Sequence, residues 1–178
     1  MNKPKMFFRL RMILLSALVG MIAGCGYAFA PQGDHIDRSI VRIYVEPFGN
    51  KTAQAEAENF VRTAFIDEIL QTSRFKTVAT LEEADAVIGG NVVSISTIAI
   101  SYRKSILAAE ERMSVIIESS FREKATGKIL WASRNIAESV DYELQDDINL
   151  LPAIRKKALA KLSRDAAEKA FSLMMSNF

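Results

Sequence analysis

The residues best placed for covalent chemistry are Ile22-Ala23-Gly24-Cys25, and Cys25 is the only cysteine in the 178-residue chain. A thiol directly behind small residues is suited to lipid transfer. The sulfur can take a diacylglyceryl group, and Ala23 and Gly24 admit an extended backbone to a peptidase that cuts before Cys25. Upstream lie Lys3, Lys5, Arg9 and Arg11, with no acid, and then an apolar run over residues 12–23. Charged, then apolar, then small is the order of a secretory leader. The run is shorter than the about 20 apolar residues that a finished membrane-spanning helix needs. Residues 1–24 therefore read as a cleaved lipoprotein signal peptide. Cys25 reads as the lipid attachment site, and residues 25–39 as anchor and short linker.

Two basic clusters could hold anions. Arg103-Lys104 falls where a long strand turns toward the next, and a loop tip held by long strands can reach a ligand outside the domain. Arg155, Lys156, Lys157, Lys161, Arg164 and Lys169 crowd the last helix. Their plain reading is a solvated face with salt bridges to Asp165 and Glu168. Their sharper reading is a phosphate or partner surface, since fixed lysines and arginines are what phosphate groups require. The paired acids Glu110-Glu111 and Asp146-Asp147 read as solvated loop charges or helix-start acids. The second pair precedes the last helix, where negative charge suits the macrodipole. Gly89-Gly90 lacks the spacing of a nucleotide-binding fingerprint and reads as a bulge or a close backbone approach. His35 is the only histidine. With Cys25 acylated, neither a disulfide nor a cysteine- or histidine-based metal site is expected. There is no nucleophile elbow and no phosphate loop, so the chain reads as a non-enzyme with no cofactor beyond the covalent lipid.

These residues need a scaffold. Cleavage before Cys25 leaves 154 residues, enough for one domain with a single core. The leader holds four of the 23 basic residues and none of the 21 acidic ones, so the mature chain carries a formal charge of −2. Nothing in that balance points to nucleic acid. Residues 40–46 alternate as a strand that Pro47 and Gly49-Asn50 end. In residues 54–71, Ala57, Phe60, Val61, Ala64, Phe65 and Ile69 recur at helical spacing. A short extended piece, 75–78, follows. Residues 86–102 read as one long strand whose apolar phase changes, which a bulge near Ser96-Thr97 would reconcile. Residues 112–123 place Met113, Val115, Ile117 and Phe121 on one face. Gly127 supplies the positive-φ residue of a hairpin turn into a strand over 129–142. The last helix, about 150–176, carries Pro152 in its first turn. Its apolar stripe is Leu151, Ile154, Ala158, Leu162, Ala166, Ala170 and Met174. The order predicts an α+β two-layer sandwich: two helices on one face of a mixed, mainly antiparallel sheet of about four strands.

Several runs carry a resemblance. Ala23-Gly24-Cys25-Gly26-Tyr27-x-Phe29 opens the mature chain. Ile43-x-Val45-x-Pro47-Phe48-x-Asn50-x-Thr52 leads to Glu58 and the helix. Ala84-Asp85-Ala86-Val87-Ile88-x-Gly90 enters the long strand, and Thr126-Gly127-Lys128-Ile129-Leu130-Trp131 forms the later hairpin. In order and spacing the chain resembles the LptE family, the lipopolysaccharide-assembly lipoproteins of Gram-negative outer membranes. The resemblance implies that residues 40–178 form a single LptE-like domain of two helices on a four-stranded sheet. It also implies a non-enzymatic protein that plugs and helps assemble the LptD β-barrel, binds lipopolysaccharide and assists its transport to the outer leaflet. By that resemblance Arg103 and Lys104 are the lipopolysaccharide-binding residues. Where relatives carry a further basic residue before the last helix, this chain has Glu143, Gln145, Asp146 and Asp147, an acidic loop that could bind a bridging divalent cation or face the barrel wall. Gly26 rather than Asp after the cysteine resembles the sorting signal for the outer membrane, on its periplasmic side. The rival expectation is a periplasmic regulatory lipoprotein that activates a peptidoglycan synthase or joins a secretion complex. Such activators need a long linker to cross the periplasm. Here the first strand starts about 15 residues after Cys25, at most about 50 Å away.

Overall fold

The computed structural model describes residues 36–102 and 108–176. Cys25, His35, Arg103 and Lys104 lie outside the described residues. The elements are β1 (Arg42–Val45), β2 (Gly49–Asn50), α1 (Ala57–Gln71), β3 (Lys76–Thr77), β4 (Ala86–Tyr102), β5 (Ala108–Glu123), β6 (Ile129–Glu143), a 3₁₀ turn (Ile148–Leu150) and α2 (Leu151–Ser176). The expected α+β class holds. The sheet has six strands among the described residues rather than about four, in the order β3-β1-β4-β5-β6, with β2 also on β4. The two additions, β2 and β3, are two residues each, too short to show any alternation in sequence.

β1 pairs in parallel with both β3 and β4, and β2 continues the parallel pairing along β4 as far as Val92. Parallel neighbours need a crossover, which α1 supplies. β4, β5 and β6 follow as an antiparallel meander. The expected bulge at Ser96-Thr97 lies elsewhere: the β4–β5 register shifts between Val92 and Ser94, and again between Ala99 and Tyr102. The first shift falls where β2 ends, so β4 changes phase on losing its second neighbour.

One face of the sheet is buried under the helices. β5 sends Glu111, Met113, Val115, Ile117, Ser119 and Phe121 inward. α1 meets them with Ala57, Val61, Ala64, Phe65 and Ile69, and α2 with Ala158, Leu162, Ala166, Ala170 and Met174. Leu159, Ala167 and Phe171 widen the α2 stripe, while Leu151 and Ile154 at its start are only half-buried. Small alanines let α2 lie close to the strands.

The motif residues turn out to be latches of this fold. Asn50 Oδ1 accepts from the N–H and hydroxyl of Thr52 at 2.9 and 2.8 Å, and its amide donates to Gln54 O and Glu58 Oε2, both at 2.8 Å. The loop from β2 into α1 is thereby closed on itself. Phe48 stacks on Phe65 with ring centroids 5.1 Å apart. Asp85, just before β4, accepts from the Arg42 guanidinium at 2.6 Å and from the Arg42 N–H at 2.8 Å, tying the start of β4 to β1. Those hydrogen bonds hold the Asp85 carboxyl well below its ordinary range. Gly127 has φ +71°, as its turn requires.

Candidate functional site

β4 ends at Tyr102 and β5 starts at Ala108, so Arg103 and Lys104 open the connection between the two longest strands. These two residues and Cys25 lie outside the described residues; what the structure gives is the arm that carries the connection. α2 lies over β5 and β6, and α1 over β1, β2 and β4. The far half of β4 is left exposed: Ile98 is 57% and Tyr102 66% accessible, with Ile100 also open. These apolar side chains on an uncharged strand end belong to the surface rather than the core.

At the level of Ala99 this arm is braced by a polar cluster. Glu111, 9% exposed and paired across the ladder with Ala99, accepts from Arg155 of α2 at 2.9 Å and from the Tyr142 hydroxyl of β6 at 2.5 Å. Glu110-Glu111 is therefore not a pair of loop or helix-start acids. The strand begins at Ala108, and Glu111 falls in phase with Met113 and Val115, which was the signal in the sequence. Burial pushes the Glu111 carboxyl up, but hydrogen bonds from Arg155 and Tyr142 and the Arg155 charge outweigh it, so it sits below its ordinary value. Burial and the bond to Glu111 push the Tyr142 phenol up.

A carboxyl with a lowered folded pKa contributes stability in full above its ordinary value of 4.5, and loses it as pH falls through the folded value. Glu111→Gln should cost about 1–2 kcal/mol at neutral pH, because Arg155 loses a charged acceptor but stays partly solvated. Urea unfolding at pH 7 and pH 3 measures this. The gap between wild type and variant should be narrower at pH 3 than at pH 7, and an equal gap at both values would mean the charge contributes nothing.

The α2 cations divide. Lys161 pairs with Asp165 at 2.6 Å, as expected. Lys169 pairs with Glu138 of β6 at 2.7 Å and donates to Ala137 O at 2.8 Å, instead of joining Glu168. Lys156 stands 3.7 Å from Glu56 and over the Phe60 ring at 5.7 Å. Lys157 and Arg164 make no ion pair among the described residues. They border two different grooves. One, about 330 Å³, runs between α1 and α2 past Phe60, Ala64, Lys156 and Arg164. The other, about 310 Å³, runs between β6 and α2 past Val140, Tyr142, Ile154, Lys157 and Lys161. The helix is thus a braced face with two isolated cations, not one continuous phosphate surface. In the acidic loop, Asp147 accepts from the Asn149 N–H at 2.9 Å and caps the 3₁₀ turn. Among the described residues no three His, Cys, Asp or Glu side chains converge in a way that could hold a metal ion. Trp131 lies opposite Phe121 and packs on the core. No helix of the described residues is long and apolar enough to cross a membrane.

The described residues thus form a two-layer α+β domain whose polar clusters are structural braces and whose open features are a strand arm and cation-bordered grooves. The chain belongs to the LptE lipopolysaccharide-assembly family, whose model matches residues 40–174. This is a non-enzymatic family of lipopolysaccharide-assembly lipoproteins. No curated protein matches the chain in sequence. Among solved structures, lipoprotein B from Nitrosomonas europaea is similar at 15% identity, covering 85% of this chain and 92% of that one, with a TM-score of 0.53. The rare lipoprotein B from Shewanella oneidensis matches at 14% identity over 76% of this chain and 95% of its own, with a TM-score of 0.46. The dodecameric PelC from Paraburkholderia phytofirmans matches at 12% identity over 82% and 94%, with a TM-score of 0.48. At such identity the first of these likenesses speaks to the fold alone.

Proposed function

We propose that this protein is an outer-membrane lipoprotein that plugs and helps assemble an LptD-type β-barrel and assists lipopolysaccharide transport to the outer leaflet. The observation that carries the reading is the family match across residues 40–174, which spans nearly the whole folded domain. In this reading residues 1–24 are removed and Cys25 takes the lipid. Two acyl chains already give stable attachment. The anchor and the short segment 25–39 keep the domain at the periplasmic side of the outer membrane. A barrel lumen is polar. The helix-free face of the sheet suits it at β5 and β6, with Ser114 and Ser139 between the ion pairs Arg112–Asp141 and Lys51–Glu118. Arg103 and Lys104, at the end of the arm, are proposed to attract the phosphates of lipopolysaccharide.

Capture of the tagged, lipidated protein from detergent-solubilised outer membranes tests the reading. The expected result is a stoichiometric large β-barrel. Recovery of a peptidoglycan synthase or a secretion pore without such a barrel would overturn it. For the lipid step, Arg103→Glu with Lys104→Glu should weaken lipopolysaccharide binding about tenfold while leaving barrel capture unchanged. Unchanged lipopolysaccharide affinity would move the site off the arm.

A further inference from the structure

Among the described residues, the sheet's open edges are treated differently. The outer edges of β2 and β3 are two residues each. The outer edge of β6 carries Arg134, Glu138, Asp141 and Glu143, and Lys169 reaches over from α2 to occupy the Ala137 carbonyl at 2.8 Å. Short length and charge are the ordinary means of keeping an edge from pairing. The remaining edge is the side of β4 turned away from β5. β1 and β2 occupy it only up to Val92, and no backbone hydrogen bond from another described segment reaches it beyond that point.

From Val93 to Tyr102 this edge reads VSISTIAISY, with no charge, no proline and no glycine. Ser94 to Ala99 pair with β5 without a register break, a stretch of ordinary strand length. An uncharged, β-branched edge left open is a template for another strand. An acyl chain could cover Ile98 and Ile100, but it offers neither donor nor acceptor to a row of peptide groups. Only an extended polypeptide satisfies both.

We propose that the outer edge of β4, Val93 to Tyr102, is a strand-pairing site that takes an extended, uncharged segment of the barrel partner. The inference rests on the proposed function above. The segment must come from a loop or terminal arm of that partner, because each strand in a closed barrel wall is already paired on both sides. It must be uncharged, because β4 offers no opposite charge to it.

The test uses the full lipidated chain in cells, with a photo-crosslinking residue at Ser96 or Ile98 and a control at Asp141 on β6. The expected result is a crosslink from positions 96 and 98, and not from 141, to a loop or arm peptide of the co-purifying barrel. Ile98→Lys should lower the recovered barrel about tenfold, whereas the uncharged, β-branched Ile98→Thr should not. Both side chains sit in solvent, so unchanged melting points would exclude misfolding. Crosslinks to a wall strand, to a second copy of this chain or to its own residues 26–35 overturn the edge inference while barrel recovery leaves the functional reading standing. The same separation holds if Ile98→Lys recovers the barrel at the wild-type level. Failure of the wild-type chain to recover any barrel overturns both.

Discussion

Phe121→Ala is expected to destabilise the domain by about 4 kcal/mol and to lower its melting midpoint by about 10 °C. Phe121 is fully buried, and in register it lies between Ile88 of β4 and Trp131 of β6. Its ring meets Phe75 edge-on at 6.5 Å, and Phe75 meets Phe171 of α2 at 6.1 Å. Deleting the ring removes the sheet's contribution to an aromatic chain that ties the β3 end to α2. The space cannot close easily, since strands held by ladders flank it on both sides. Urea unfolding of the mature chain measures the loss. A cost below about 1 kcal/mol would mean that this end of the sandwich lies outside the cooperative unit.

The second large effect is expected at Gly90, where alanine should cost about 3 kcal/mol or more. A Cβ there would stand 2.0 Å from the Glu118 carbonyl oxygen and 2.9 Å from Ser119 Cα. Both are backbone atoms, so no rotamer change relieves the clash. The β5–β6 register shifts between Ile117 and Ser119, beside this close approach. Gly127 sets the contrast. It has open space but φ +71°, so alanine there should cost only about 1 kcal/mol. At Gly89 the nearest atom is the Glu46 carboxylate, the far end of a side chain paired with Arg122, and the cost should be smaller than at Gly90. Ranking the three variants by chemical unfolding checks the argument. Gly127→Ala proving worse than Gly90→Ala would show that the sheet absorbs the clash by sliding.

Much of this was legible in the chain because the signals were local. Met113, Val115, Ile117 and Phe121 alternate because one face of β5 is buried, and the 3.6-residue stripe of α1 marks its packing side. Gly127 announces its turn because few other residues accept positive φ. Gly89-Gly90 was readable as a bulge or a close approach. The structure shows a close approach, since the β4–β5 register runs unbroken through both residues.

What failed depended on neighbours distant in sequence. The phase change in β4 sits at Val93 because β2 stops at Asn50, a fact about a partner strand more than forty residues away. Glu111 looked like a solvated acid because Arg155, its counter-charge, is 44 positions on. Lys169 joins β6 rather than its own helix for the same reason.

The sequence alone determined the α+β class, the two amphipathic helices and the family, because each is written in local spacing or in short runs of residue types. The tertiary structure decided which acids and bases brace the fold and which stand free. It also decided that Asn50, Thr52 and Asp85 act as latches, and that one edge of the sheet is guarded while another is open. Pairing, burial and edge exposure belong to residues brought together from far along the chain, and no local pattern encodes them.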